Sequence, residues 1–189
     1  MDPMKRVNIV IIALFTCGLI GLILIELGIA PGVESREQQL AKEQRLPKTH
    51  HIEEVLKYRH DNMGNAANIT RLNSELPLGY VDRTYSLDSE RLAINIKFAS
   101  DAASIGQELV EQALLYNSTA NFALIGNLQT IRYQFENAAY TVERRQIEAL
   151  YGKELWRLLE GNRWSEDVQR QLSDTEFIHQ FLDSLSTAK

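Results

Sequence analysis

The feature that constrains this chain most is an almost uninterrupted apolar segment near its N-terminus, Val7 to Ala30. A helix of about 20 apolar residues is long enough to cross the hydrocarbon core of a bilayer, so the segment predicts a transmembrane helix. Lys5 and Arg6 precede it directly, and basic residues beside a span tend to remain in the cytoplasm. The sequence therefore predicts a single-pass protein of the cell membrane. Residues 1–6 would lie in the cytoplasm, residues 7–30 in the lipid bilayer and the remainder outside the cytoplasm.

Two other interpretations of the apolar segment fit less well. A cleaved signal peptide has a shorter apolar core, and here Pro31 would follow the cut. Lipid attachment requires a cysteine at the end of the apolar run, whereas Cys17 lies in its middle. Ala13, Cys17 and Gly21 recur every four residues, and such a face of small residues could let two anchors pack closely as a homodimer.

The part of the chain after Pro31 is acidic and carries no cysteine. The formal net charge of the protein is −5, and Lys5 and Arg6 balance Asp2 and Glu26 in the N-terminal part. Nucleic-acid binding requires a concentrated basic patch, so the composition predicts no nucleic-acid partner. Without cysteine, this part can form neither disulfides nor thiolate metal sites.

The polar sequence between the apolar segment and the first periodic pattern predicts a linker. Pro31-Gly32 ends the membrane helix, and Glu34 to His50 is charged with only Leu40 and Leu46 as apolar residues. We interpret residues 31–50 as a polar stalk that is partly helical up to Pro47. Residues 51–189 then form the predicted extracytoplasmic domain.

The periodicity of the domain predicts an α+β fold. Its strongest strand is Arg91 to Phe98, where apolar and more polar side chains alternate, as in a sheet with one buried face. Ser104 to Leu124 predicts a long amphipathic helix. We predict a two-layer domain of about four antiparallel strands packed with helices, behind the N-terminal transmembrane helix. The other expected elements are a helix from Ala66 to Leu76, strands at Tyr80–Leu87, Ile131–Phe135 and Tyr140–Val142, and helical pieces at Ile147–Tyr151, Leu155–Leu159 and from Ser173, where Ser173 and Glu176 form a capping-box pattern.

Several runs of residues in the domain occur in a recognisable order: Lys57-Tyr58, Asp61-Asn62, Leu72–Tyr80, Leu92–Phe98, Asn117–Asn127, Thr130–Phe135 and Tyr140–Leu155. In this order they resemble an uncharacterised bacterial family, domain of unknown function 4825. The resemblance implies an extracytoplasmic module behind a single anchor in the cell envelope of Gram-positive bacteria. Some such domains are joined to membrane metallopeptidases of the antibiotic-sensing type, which implies a sensory or partner-binding role. No catalytic residue accompanies the family pattern.

The motifs that usually carry chemistry are missing from this sequence. His50, His51 and His60 cluster at the start of the domain, but their spacing is not that of a zinc site, and we expect a solvated junction there. Ser186 and Lys189 match a serine–lysine pattern only at the C-terminus, where a preorganised site cannot form. The sequence therefore predicts no catalytic, cofactor-binding or metal-binding residue and no cofactor.

A polar groove for a ligand or partner is the one site that the residues suggest. Asn62, Asn117 and Asn127 lie near the ends of predicted elements, where asparagine also serves as a cap or turn residue. Trp156 and Trp164 flank Gly161-Asn162, and such a pair either forms a binding platform or packs the last helices onto the domain.

These observations favour a membrane-anchored extracytoplasmic binding or sensory module, without enzymatic activity, whose partners are the lipid bilayer and an unknown protein or envelope ligand. One alternative is a structural accessory subunit that joins a larger membrane complex through its anchor. Another is an envelope hydrolase with an unrecognised site, which would require a deep pocket with convergent polar groups.

Overall fold

The computed structural model describes the backbone of residues 30–188 and the side chains of residues 36–185. Residues 7–29 of the predicted span, with Ala13, Cys17 and Gly21, lie outside this part, as do residues 1–6. None of the helices that the structure does describe is long and apolar enough to cross a membrane. The first of them, α1, spans Ala30–Glu43. The residues Glu43–Lys189 form one compact unit.

A mixed β-sheet forms one side of this unit. Its strands lie in the order β1-β2-β3-β4-β5, and β5 is a short strand at the edge. The pairs β1–β2, β3–β4 and β4–β5 are antiparallel, whereas β2 and β3 are parallel. The strand bounds are Arg83–Asp88 for β1, Ala93–Phe98 for β2, Thr130–Gln134 for β3, Ala139–Glu143 for β4 and Ser186–Ala188 for β5.

The α+β class and the four predicted strands are confirmed, but the expectation of an entirely antiparallel sheet was wrong. Parallel neighbours need a crossover of a dozen or more residues, and the connection from β2 to β3 contains one. It consists of the short helix α3 (Ala102–Ile105) and the 18-residue helix α4 (Gln107–Leu124). The two helices were predicted as one, but Gly106 separates them with a φ of 118°, which suits glycine.

The sheet has one buried face, as the alternation of residues predicts. Ile94, Ile96 and Phe98 of β2 are buried, whereas Lys97 is exposed. The rings of Phe98 and Phe135 stack with centroids 4.6 Å apart, so the core continues past the end of the parallel pair. Burial of these side chains gives the sheet its register, since a shift by one residue would expose them.

Helix α4 is the centre of the core and is not amphipathic, because every residue from Gln112 to Leu124 is buried. One side faces the sheet, where Ser118 Oγ lies 3.1 Å from Tyr133 Oη. Other helical segments cover its remaining sides, so the helices form two shells over the sheet and the predicted two-layer arrangement was too simple. The covering segments are 3₁₀ helices at Ile52–Tyr58 and Leu155–Leu159 and helices α5 (Arg144–Tyr151) and α6 (Thr175–Asp183).

The buried polar side chains of α4 are hydrogen-bonded, as an interior position requires. The amides of Asn73 and Asn121 pair reciprocally, with both N–O distances at 3.0 Å. Asn117 Nδ2 donates to the Pro77 carbonyl at 2.7 Å, and Thr119 Oγ1 donates to the Leu115 carbonyl at 2.8 Å. These bonds allow a helix with four polar residues in its middle to lie in the interior.

Helix α2 (Ala66–Glu75) is closed at both ends by side chains. Asn65 caps its start by accepting a bond from the Asn68 N–H at 3.0 Å. Beyond its end, the Arg83 guanidinium donates to the carbonyls of Leu78, Gly79 and Val81, at 3.2, 2.7 and 2.6 Å. This turn therefore joins α2 to the start of the sheet.

The C-terminal part has irregular helices. Helix α5 begins with a capping box between Glu143 and Gln146. A π-helix spans Trp164–Gln169, and a 3₁₀ turn, Arg170–Ser173, follows it. Helix α6 is capped by Asp174, which accepts from the Phe177 N–H at 3.2 Å, and not by Ser173 as predicted.

Candidate ligand-binding groove

A groove of about 330 Å³ lies between two segments that are far apart in the sequence. One wall is the first segment of the compact unit, Glu43–Glu53, and the other is Gly161–Gln169, which includes the π-helix. We call this site the terminal groove. Its lining consists of Glu43, Lys48, Thr49, His50, His51, Ile52, Glu53, Gly161, Asn162, Trp164, Ser165 and Gln169.

Gln169 joins the two walls of the groove. Gln169 Nε2 donates to the carbonyls of Pro47 and His50, at 3.1 and 2.8 Å. A tight turn shapes the wall itself, since the His50 N–H donates to the Leu46 carbonyl at 2.9 Å. The Nζ of Lys48 lies 3.6 Å from a carboxylate oxygen of Glu108, an exposed pair that adds little to this attachment.

His50 anchors the wall to the core. Its side chain is buried, with Nε2 3.0 Å from the Glu75 carbonyl and Nδ1 2.7 Å from Tyr116 Oη. A carbonyl oxygen can only accept, so Nε2 carries the proton and Nδ1 accepts from the tyrosine hydroxyl. The expected solvated junction was therefore wrong for His50, because its ring is fully hydrogen-bonded inside the protein.

The electrostatic setting of His50 favours the neutral ring. Burial has the largest effect and lowers the pKa of His50 from the usual 6.5. The bond to the Glu75 carbonyl opposes this shift, and the charges of Glu53 and Glu75 oppose it further. A proton on Nδ1 would also remove the acceptor of the Tyr116 hydroxyl. The geometry and the pKa direction therefore agree on a neutral imidazole.

Trp164 forms the floor of the groove. It is 2% exposed, and its ring meets that of Tyr116 edge-on, with centroids 5.1 Å apart and an angle of 88°. Burial raises the pKa of Tyr116, whose hydroxyl therefore stays protonated and donates. The π-helix begins at Trp164, and π turns are frequent at functional sites.

The rim of the groove offers hydrogen-bonding groups and charges of both signs. His51, Asn162 and Ser165 are exposed there, with Lys48 and Glu53 beside them. Within residues 36–185, no three His, Cys, Asp or Glu side chains come together in an arrangement that could hold a metal ion. The groove is therefore suited to a polar ligand that can pair with these exposed groups.

The structure separates the five residues that the sequence suggests for one groove. Only Trp164 lines the terminal groove. Trp156 is 38% exposed on another part of the surface. Asn117 is buried, and its Oδ1 has no hydrogen-bond partner among the described residues. These three residues do not share a site.

Asn62 and Asn127 do meet, and they clamp two loops together. Asn127 Nδ2 donates to Asn62 Oδ1 at 3.2 Å, and Asn127 Oδ1 accepts from the Met63 N–H at 2.8 Å. Gly126 beside them allows the close approach, because a Cβ there would lie 3.2 Å from the Asp61 carbonyl oxygen. These contacts belong to turn chemistry within the fold, and this pair does not line the terminal groove.

Sequence reasoning missed most of the groove. Thr49, Ser165 and Gln169 carry no motif, and the pairing of their segments depends on the tertiary fold. Gly161-Asn162 was noted only as the sequence between two tryptophans, and Gly161 has a φ of 57° that marks a sharp turn there. That glycine beside a buried tryptophan was the one available signal.

Comparisons with known proteins give one finding. No curated protein and no solved structure matches this chain. Residues 55–147 match the model of a family described as a domain of unknown function (DUF4825). This match confirms the resemblance carried by the runs between Lys57 and Ile147, and through it the chain is identified as similar to the DUF4825 family.

Proposed function

We propose that this protein is a membrane-anchored, extracytoplasmic binding or sensory module whose ligand occupies the terminal groove. The apolar sequence from Val7 to Ala30 and the basic pair Lys5-Arg6 support the anchor and its direction. The groove supports the binding role, since its volume of about 330 Å³ falls within the size range of small-molecule sites.

One observation supports the sensory part of the proposal. In the chain, the wall Glu43–Glu53 follows α1 directly, and α1 follows the proposed anchor. A ligand between the walls contacts this segment and the π-helix at the same time. It can therefore change the two bonds from Gln169 that hold the segment in place. Binding in the groove would in this way alter the segment that leads back to the membrane.

The lining indicates the kind of ligand. Trp164 and Ile52 are buried beneath the groove, whereas the exposed His51, Asn162 and Ser165 offer donors and acceptors. Lys48 and Glu53 add one charge of each sign. A short peptide or a saccharide from the cell envelope has polar groups that can pair with such a rim.

A fluorescence titration can test the binding role. The protein has two tryptophans, so Trp156→Phe leaves Trp164 as the only indole, on the floor of the groove. We expect muramyl dipeptide or an N-acetylglucosamine disaccharide to change the emission of this variant with a saturable dose dependence. Absence of saturable binding across a panel of envelope peptides and saccharides would contradict the proposal.

Matched variants locate the ligand. His51→Ala and Asn162→Ala each remove a rim group, and we expect each to weaken binding by about tenfold. Glu166→Ala is the control, since Glu166 is exposed on the π-helix but does not line the groove. Equal effects of all three variants would place the ligand elsewhere.

The proposed topology needs its own measurement. Protease added to intact cells is expected to degrade residues 43–189 while cytoplasmic markers survive. A domain that is digested only after lysis would overturn the extracytoplasmic location and leave the groove proposal standing.

A further inference from the structure

A second concave surface lies near the C-terminal helices. It is a notch of about 280 Å³, which we call the basic notch. Three cationic side chains line it, Lys153, Arg157 and Arg163, and Tyr151, Gly152, Glu154 and Leu158 complete the lining. The chain as a whole carries a net charge of −5, so a cationic concavity stands out from its surroundings.

The ion pairs of the notch leave it with positive charge. Arg157 Nε lies 3.0 Å from a carboxylate oxygen of Glu154, and Arg163 Nε lies 3.2 Å from one of Asp167. Lys153 has no ion-pair partner among the described residues. Three cations therefore face two carboxylates. Both arginine pairs are about half exposed, so an incoming carboxylate can replace Glu154 or Asp167 at small cost.

An exposed tryptophan adjoins the notch through a shared arginine. The Arg157 Cζ atom, from the notch, lies 5.4 Å from the ring centroid of Trp156, and the Arg59 Cζ atom lies 5.9 Å from the same ring. Trp156 is 38% exposed, although a large aromatic ring on a surface costs solubility. Tryptophan and arginine are the residues most enriched at the energetic centres of protein interfaces.

We propose that the basic notch and Trp156 together form a docking surface for an acidic peptide segment of a partner protein. A carboxylate of the segment binds the guanidinium groups of Arg157 and Arg163, whose planar forks match carboxylates. A neighbouring apolar side chain of the segment lies on the Trp156 ring beside Arg59. The positive charge of the notch favours an acidic partner. The indole favours a peptide over a simple anion, because a simple anion has no apolar group that could contact the ring.

This surface is separate from the terminal groove and does not depend on the function proposed for it. The two sites have no lining residue in common. A binding test at the notch can therefore fail while ligand binding in the groove succeeds, and the converse also holds.

Fluorescence anisotropy with the full-length protein in detergent tests the docking surface. The probe is a fluorescein-labelled peptide of about ten residues that alternates Glu or Asp with Leu, a length that spans the notch and Trp156. The matched peptide has Gln and Asn in place of Glu and Asp. We expect the acidic peptide to bind at least about tenfold more tightly than its amide counterpart.

Three variants divide the surface into its parts. Arg157→Gln removes a notch cation, Arg59→Gln removes a cation at the indole, and Trp156→Ala removes the ring. We expect each variant to bind the acidic peptide about fivefold more weakly, or weaker still, than the parent protein does. Arg91→Gln is the control, because Arg91 is likewise exposed and ion-paired, with Asp88, but lies at the β1–β2 turn.

Three results would overturn the proposal. The acidic and amide peptides could bind equally, or Arg91→Gln could weaken binding as much as Arg157→Gln. Inorganic phosphate could also displace the peptide with the same potency from the parent protein and from Trp156→Ala, which would reduce the notch to a simple anion site. Circular dichroism of Trp156→Ala shows whether this variant is still folded. Arg59→Gln tests the same part of the surface without removing the ring.

Discussion

The part of the chain that matches a known family and the parts that flank it contribute differently to this molecule. Residues 55–147 contain α2, strands β1 to β4 and the buried helix α4. The terminal groove is lined by residues 43–53 and 161–169, and the basic notch by residues 151–163. Only Arg59, at the edge of the docking surface, lies inside the matched region. The family match therefore describes the scaffold, and both candidate sites belong to its flanks.

Some polar residues of the two regions lie in different surroundings, although His50 of the N-terminal flank is buried like those of the scaffold. In the matched region, Asn73, Asn121 and Ser118 point inward and bond to one another or to the core. In the flanks, His51 and Asn162 remain exposed beside 3₁₀ and π turns. The family resemblance therefore identifies the fold of this region and leaves the candidate sites to be found in the structure.

Removal of the C-terminal flank is expected to have the largest effect on the stability of the fold. Deletion of residues 148–189 uncovers α4, because Leu158, Trp164 and Phe181 are buried in the same core cluster as that helix. We expect the cooperative thermal transition to disappear, as measured by near-ultraviolet circular dichroism. Deletion of residues 1–42 is the control and should preserve the transition. A cooperative transition without residues 148–189 would show that the matched region folds alone, which would sharpen the contrast drawn above.

The next largest effect is expected at Gly79, inside the matched region. A Cβ at this position would lie 2.2 Å from the Ser74 carbonyl oxygen and 2.5 Å from that of Leu76. Neither backbone atom can move without shifting the end of α2, so Gly79→Ala should lower the free energy of unfolding by about 1–3 kcal/mol or more. Gly64→Ala is the matched control, because nothing lies within 4 Å of a Cβ there. Urea denaturation measures both, and equal stabilities would refute the packing argument.

The third prediction concerns His50, which joins the N-terminal flank to the scaffold. The pKa of this ring is lowered in the folded protein, so below about pH 6.5 the unfolded chain binds more protons than the folded one. The stability that the neutral ring provides is therefore present above this pH and is lost as pH falls through the folded pKa. We expect His50→Gln to remove this component of the acid destabilisation, as followed by urea unfolding across the pH range.

The exposed neighbour of His50 supplies the control for that measurement. His51→Gln changes an imidazole that lies on the groove rim. It is the matched control, because it makes the same substitution at the adjacent, exposed position. If His51→Gln flattens the pH profile as much as His50→Gln does, the buried ring is not its source.

The smallest effect is expected at Lys48 on the groove rim. Its ion pair with Glu108 joins two exposed side chains, so Lys48→Ala should change the unfolding free energy by less than about 0.5 kcal/mol. Thermal denaturation against the parent protein provides the measurement. A substantially larger loss would mean that this flank is as tightly integrated as the scaffold, and the comparison between the two regions would fail.

The sequence predicted the strands well because their signal is local. The alternation at Ile94, Ile96 and Phe98 requires one buried face, whichever way the neighbouring strand runs. For the same reason it could not distinguish parallel from antiparallel pairing, which the crossover through α4 decides. The sequence suggested a cap, turn or groove role for Asn117, whereas its hydrogen bond to the Pro77 carbonyl makes burial within α4 tolerable.

The candidate sites were harder to predict because they join distant segments. Gln169 bonds to Pro47 and His50 across more than a hundred residues, and no local pattern encodes such a contact. The expectation for Trp164 was nearest to the structure, since the indole both packs the C-terminal helices and forms the floor of a groove. Trp156 lies on a different surface, which spacing in the sequence could not reveal.

The π-helix has a consequence for how this domain can respond to what it binds. Its final residue, Gln169, holds the wall of the groove, and Asp167 in the same turn pairs with Arg163 of the notch. A rotation of this turn would alter both contacts. Two ligands that each bias this rotation would raise or lower one another's affinity by the same factor, as thermodynamic linkage requires.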